Sequence, residues 1–139
     1  TNAYDDLMAF QRETGALGQI AGRLGWDQET MMPRGAAPQR AEEMAAMEHV
    51  LHGRRTDPRM GDWLAAIDDA SLDQVGQANL RHIKRDLDRA TRVPEALVRA
   101  LAEACSTGLA AWQKARAEED FSIFEGELTQ LLQLECSSE

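Results

Sequence analysis

Apolar residues in the first thirty positions recur at helical intervals. Leu7, Phe10, Leu17, Ile20 and Leu24 line one face of a helix from about Ala3 to Trp26. Pro33 disfavours helical geometry at Met32, so this helix is expected to end near Thr30 or before, and Gly35 loosens the turn that follows. A second helix opens at Pro38, points Ala41, Met44, Met47 and Leu51 inward, and stops near Gly53. Asp57 and Pro58 read as the cap and first turn of a third, with Met60, Trp63, Leu64 and Ile67 on its apolar face. Ser71 and Gln74 have capping-box spacing for a fourth helix striped by Leu80, Ile83, Leu87 and Ala90. Pro94 starts a long fifth through Leu97, Leu101, Ala104, Gly108, Ala111 or Trp112, and Ala115. Ser122 and Glu125 repeat the capping-box spacing before Leu128, Leu131 and Leu132.

No segment alternates as a strand would. The pattern predicts an all-α fold of five to six helices joined by short loops, packed as an antiparallel bundle. Residues 1–134 read as one helical domain and 135–139 as a polar tail. Composition strengthens this picture, because Ala and Leu carry most of the 43% hydrophobic content and only 5% is aromatic. At 139 residues the chain can bury a sizeable core.

The net charge of −9 repels phosphate backbones, which argues against a nucleic-acid partner. No apolar run reaches bilayer length and the stretch Thr1 to Asp6 is acidic, so no membrane span and no secretory signal are expected. Cys105 and Cys136 form no disulfide framework, and reduced thiols in a cytoplasmic protein are the expectation.

Candidate chemistry is sparse. His49 and His52 sit one turn apart and are weak metal candidates. Their spacing is one residue short of the pair in HExxH and Val50 replaces its glutamate, so two surface histidines are the better account. His82, among Arg81, Lys84 and Arg85, reads as solvated. Asp27 and Glu29 are two apart, on different faces of a helix, and do not make an acid–base pair. Cys105 reads as a small buried hydrophobe, and Met44 and Met47 as core filling. Trp112 and Arg116, four apart, can stack as a cation–π pair, with Phe121 and Phe124 clamping the next helix. No catalytic residue emerges from residue chemistry alone.

Two stretches carry more information together. One is LGWDQETMMPRGAAPQRAEEMAAM (24–47), with Trp26, Asp27, Glu29, Thr30, Met32 and Pro33. The other is TRVPEALVRALAEACSTGLAAWQKARAEEDFSIF (91–124), with Pro94, Trp112, Arg116, Asp120, Phe121 and Phe124. In order and spacing they resemble the N-terminal region of the Taq-type (thermostable carboxypeptidase 1) metallocarboxypeptidases, metallopeptidase family thirty-two. The resemblance implies a larger helical, cleft-containing, typically homodimeric enzyme that removes C-terminal residues from peptides. In that family a divalent metal (zinc, cobalt or manganese) is held by HExxH and a later glutamate. No HExxH occurs in this chain, so the resemblance transfers no metal ligand or catalytic residue onto it. After Phe124 the sequence departs from the family pattern, which reads as a truncated or frame-altered product.

The expectation is therefore an N-terminal segment without a cofactor of its own, inactive alone and acting as cleft wall, lid or dimerising segment. Peptide substrate would engage only the full-length enzyme. Trp26 with Met31 or Met32 is expected to pack the first helix onto the rest, and Asp27 to fix the turn. The competing reading is a stand-alone, non-catalytic helical protein that self-associates.

Overall fold

The longest helix begins at a cap. Asn2 accepts the Asp5 N–H at 2.9 Å, and Asp5 and Asp6 place negative charge on the positive end of α1, Ala3–Thr30. The computed structural model describes residues 2–137. After α1 and one 3-10 turn (Arg34–Ala36) come α2 (Ala37–Arg55) and α3 (Pro58–Ala66). A second 3-10 turn (Asp69–Ser71) leads to α4 (Gln74–Arg92), α5 (Glu95–Glu118) and α6 (Ser122–Cys136). The described residues contain no strand, and the all-α architecture read from the sequence is the one observed. Glu135 and Cys136, expected in a polar tail, fall in the last turn of α6, while Ser138 and Glu139 lie outside the described residues.

Three helix starts, those of α3, α4 and α6, follow an aspartate. Asp57 caps α3 as expected, and its hydrogen bonds from Arg59 hold it below the usual carboxylate range. The two capping boxes are corrected. Ser71 lies inside the 3-10 turn, and Asp73 caps α4 by accepting the Gly76 N–H at 2.7 Å. Ser122 is the first residue of α6 rather than its cap. Asp120 accepts both the Ser122 hydroxyl (2.6 Å) and its N–H (3.0 Å), which lowers its pKa. A carboxylate accepts an orphan N–H more strongly than a hydroxyl, so an aspartate nearby takes the capping role. Between α5 and α6 the chain reverses at Glu119, whose φ of 52° makes it the one described non-glycine residue in the left-handed region.

Two kinds of packing divide the molecule. The first half of α1 contributes Leu7 and Phe10 to an apolar cluster with Met60 of α3 and Leu80 of α4, ringed by Trp63, Leu64, Ile83 and Leu87. Phe10 meets the Trp63 ring at 5.5 Å, and the Arg54 guanidinium lies over the Phe10 ring at 4.0 Å. Beyond Phe10 the buried residues of α1 are Thr14, Ala21 and Gln28. With Leu7 these recur every seven residues and trace one line along the helix. The expected stripe is therefore rotated: Leu17 and Leu24 are half-buried and Ile20 is 43% exposed. Small residues let helices approach, and α2 likewise buries Ala41 and Ala45. On α5, Ala104, Gly108 and Ala115 are buried; a Cβ on Gly108 would come within 3.1 Å of Leu131 of α6.

Register is set by polar pins. Arg40, early in α2, bonds Asp27 and the Leu24 carbonyl late in α1. Arg54, late in α2, bonds the Thr14 hydroxyl (2.9 Å) and the Phe10 carbonyl (3.1 Å) early in α1. Rising positions on one helix meet falling positions on the other, so the pair is antiparallel. Leu80 is fully buried where three helices meet. Leu80→Ala is expected to cost about 2–5 kcal/mol, read as a lower urea midpoint at unchanged slope.

Candidate functional site

The stretch WDQETMMP closes α1, and each of its residues has a definite task or none. The Asp27 carboxylate binds the Arg40 guanidinium at 2.6 Å, and the Asp27 carbonyl accepts the N–H groups of both Met31 and Met32. Asp27 thus fixes the turn as expected and ties α1 to α2 as well. Arg40 is nearly enclosed, also binds Glu43 at 2.9 Å, and has its pKa raised chiefly by the hydrogen bond to Asp27. Gln28 is buried and donates to the Ser106 hydroxyl (3.0 Å) and carbonyl (3.2 Å), so it ties α1 to α5. The Ser106 hydroxyl can donate back to the Gln28 side-chain oxygen. Thr30 returns its hydroxyl to the Trp26 carbonyl at 2.7 Å, and Pro33 caps the 3-10 turn in extended geometry.

The aromatic anchor expected here is corrected. Trp26 is 63% exposed and Met31 72% exposed, while Met32 is half-buried. Hydrogen bonds accepted by Asp27 and donated by Gln28 secure this end of α1, which leaves the indole free. Gln28, Ser106 and Arg40 carry the packing, and none of them was singled out from the sequence as a site residue. Glutamine at a buried position in a seven-residue line was the available signal, visible only once that line is known.

Beside this corner lies an open groove of about 460 Å³ between α1, α2 and α5. Val98, Leu101, Cys105 and Leu109 form its α5 side, Met44 and Glu48 its α2 side, and Gly25, Gln28 and Glu29 its α1 side. Cys105 is exposed rather than a buried hydrophobe, because its face of α5 looks into this groove. Partial burial, and then the negative charge of Glu135, push its thiol pKa up.

The histidines do not converge. His49 is exposed and binds Glu95 at 2.7 Å, whereas His52 is buried, so the expectation of two surface histidines holds for one. His82 is exposed. Among the described residues no group of three or more His, Cys, Asp or Glu side chains is placed to hold a metal ion. The residues present therefore do not fit the divalent metal that the motifs imply. Trp112 and Arg116 are both exposed, and the cation–π contacts among the described residues fall on Phe10 and Trp63 instead. Phe121 and Phe124 do meet, edge to face at 6.4 Å, with Phe121 largely exposed. Pro94 sits at the α5 start, where its carbonyl accepts from Leu97 and Val98. No helix among the described residues is long and apolar enough to cross a membrane.

Residues 6–138 match the family model described as carboxypeptidase Taq (M32) metallopeptidase. Thermostable carboxypeptidase 1 of Thermus thermophilus is 39% identical over 126 residues, covering 88% of this chain and 25% of that protein. The Pyrococcus furiosus protein of the same name is 29% identical over 133 residues, covering 92% of this chain and 26% of that protein. In fold, the BsuCP crystal structure matches with a TM-score of 0.90 at 20% identity, over 95% of this chain and 27% of that one. The apo-Mg structure of Pyrococcus furiosus carboxypeptidase matches at 0.72 and 23% identity, over 99% and 28%. The chain spans about a quarter of the length of these relatives.

The Gln28–Ser106 bond gives a test of the corner. Gln28→Ala is expected to cost about 1–3 kcal/mol, because it leaves Ser106 buried beside a gap. Replacing both partners, Gln28→Leu with Ser106→Ala, is expected to cost less than the sum of the two single changes in a double-mutant cycle.

Proposed function

Given that the chain belongs to the carboxypeptidase Taq (M32) metallopeptidase family, we propose that it forms the N-terminal helical part of a metal-dependent carboxypeptidase. In this reading it is a wall or lid of the peptide cleft, contributing shape and not the hydrolytic centre. One observation carries the reading. In the most family-specific stretch, WDQETMMP, the two side chains that reach other helices, Asp27 and Gln28, tie α1 to α2 and α5 through Asp27–Arg40 and Gln28–Ser106. Such a stretch builds a scaffold. The divalent metal, whether zinc, cobalt or manganese, belongs with an HExxH that this sequence lacks. Cysteine usage favours the cytoplasm. The purified chain is expected to release no C-terminal amino acid from peptides with any of the three metals, as followed by free-amine assay. Metal-dependent release would overturn the reading.

A second reading is favoured by the large apolar residues left in solvent at Trp26, Met31, Trp112, Phe121 and Leu132. Self-association is the direct way for a helical chain to cover them, and a homodimer is the expected form. Light scattering is expected to give twice the monomer mass, and a monomer at every concentration would dismiss this second reading.

A further inference from the structure

The groove beside the WDQETMMP corner has a length, a floor and a sign of charge. Along α5 the row from Val98 to Leu109 is about 16 Å, three helical turns, and it is apolar except at Cys105 and Ser106. Across from this row Gly25 of α1 is small and leaves that wall low, while Ser106, on α5 itself, is buried and taken up by its bonds to Gln28. The polar rim is acidic: Glu29 on α1 and Glu48 on α2 are the charged lining residues, and no Lys or Arg lines the groove. Glu48 shares its charge with Arg55 at 3.2 Å, while Glu29 has no hydrogen bond or ion pair among the described residues. Glu95, bound to His49, lies one turn before Val98 and continues the acidic character at that end.

We propose that this groove docks a basic amphipathic helix from another polypeptide. About three turns of it would seat apolar residues at i, i+4 and i+7 on α5, with Lys or Arg flanking them toward Glu29 and Glu48. Charge complementarity selects this occupant: an acidic helix would bring like charges together at both rims, and a neutral one would leave Glu29 without a partner. The inference concerns the groove alone and stands whether or not the chain belongs to a working peptidase.

Cys105 makes the test direct, since it lies in the groove itself. In a Cys136→Ser chain it is the single thiol. The probe is a synthetic helical peptide with leucines at those spacings and lysines flanking them; its twin carries glutamates in place of the lysines. At lysine peptide about tenfold above its Kd, maleimide alkylation of Cys105 is expected to slow about tenfold. The Glu29→Gln/Glu48→Gln chain, with circular dichroism confirming its helices, is expected to bind about twofold to tenfold more weakly at low salt. An unchanged alkylation rate with the lysine peptide, or equal protection by the glutamate twin, overturns the proposal. Protection that grows with protein concentration when no peptide is present also overturns it, by naming a second copy of the chain as the occupant.

Discussion

Two arginines on α2 hold α1 in place, and the arrangement of the other helices follows from them. Arg40 and Arg54 are fourteen residues apart, about 21 Å along the helix. Each reaches a backbone carbonyl of α1, Leu24 at one end and Phe10 at the other, and each adds a carboxylate, Asp27 or Glu13. Between these pins the only apolar residue that α1 buries is Ala21, with Leu17 half-buried beside it, so the polar bonds at the two ends fix the register of the pair. The planar guanidinium suits the task, since it can satisfy a carbonyl and a carboxylate at once and stack on Phe10 as well.

With α1 pinned, its two ends serve different neighbours. The first turns deliver Leu7 and Phe10 to α3 and α4, and the last turns deliver Gln28 to α5. The groove is a by-product of this geometry. Beside the Gln28–Ser106 bond, between α1, α2 and α5, the groove stays open and the α5 face carrying Leu101 and Cys105 lines it. A scaffold role and a docking surface are thus compatible, because the first creates the walls of the second.

Much of the fold is written locally. Pro38, Pro58 and Pro94 mark helix starts, Pro33 ends α1, and alternation is absent throughout, so five to six helices can be read from spacing alone, and six are observed. The family resemblance likewise rests on contiguous motifs. What could not be read depends on partners distant in sequence. The Leu17, Ile20, Leu24 stripe obeys helical periodicity, yet the face that packs is the small-residue line a fraction of a turn away. Hydrophobicity ranks leucine above alanine, while close helix approach ranks them the other way. Trp26 looked like an anchor because indoles usually are, but Gln28 and Asp27 already hold that turn. His52 is buried and His49 exposed although they are three apart, a difference set by which neighbour each meets.

The division of the core also has a consequence in time. The α5–α6 pair closes across the short reversal at Glu119, so its contacts cost little chain entropy. The apolar cluster of α1 must instead wait for residues far along the chain: Asn79 reaches Tyr4 across a separation of 75 positions. Loop closure therefore orders assembly, with the α5–α6 hairpin able to form while the first half of α1 still searches. During synthesis α1 precedes the helices it packs on, and its Phe10 finds a lasting home only after α3 and α4 have been made.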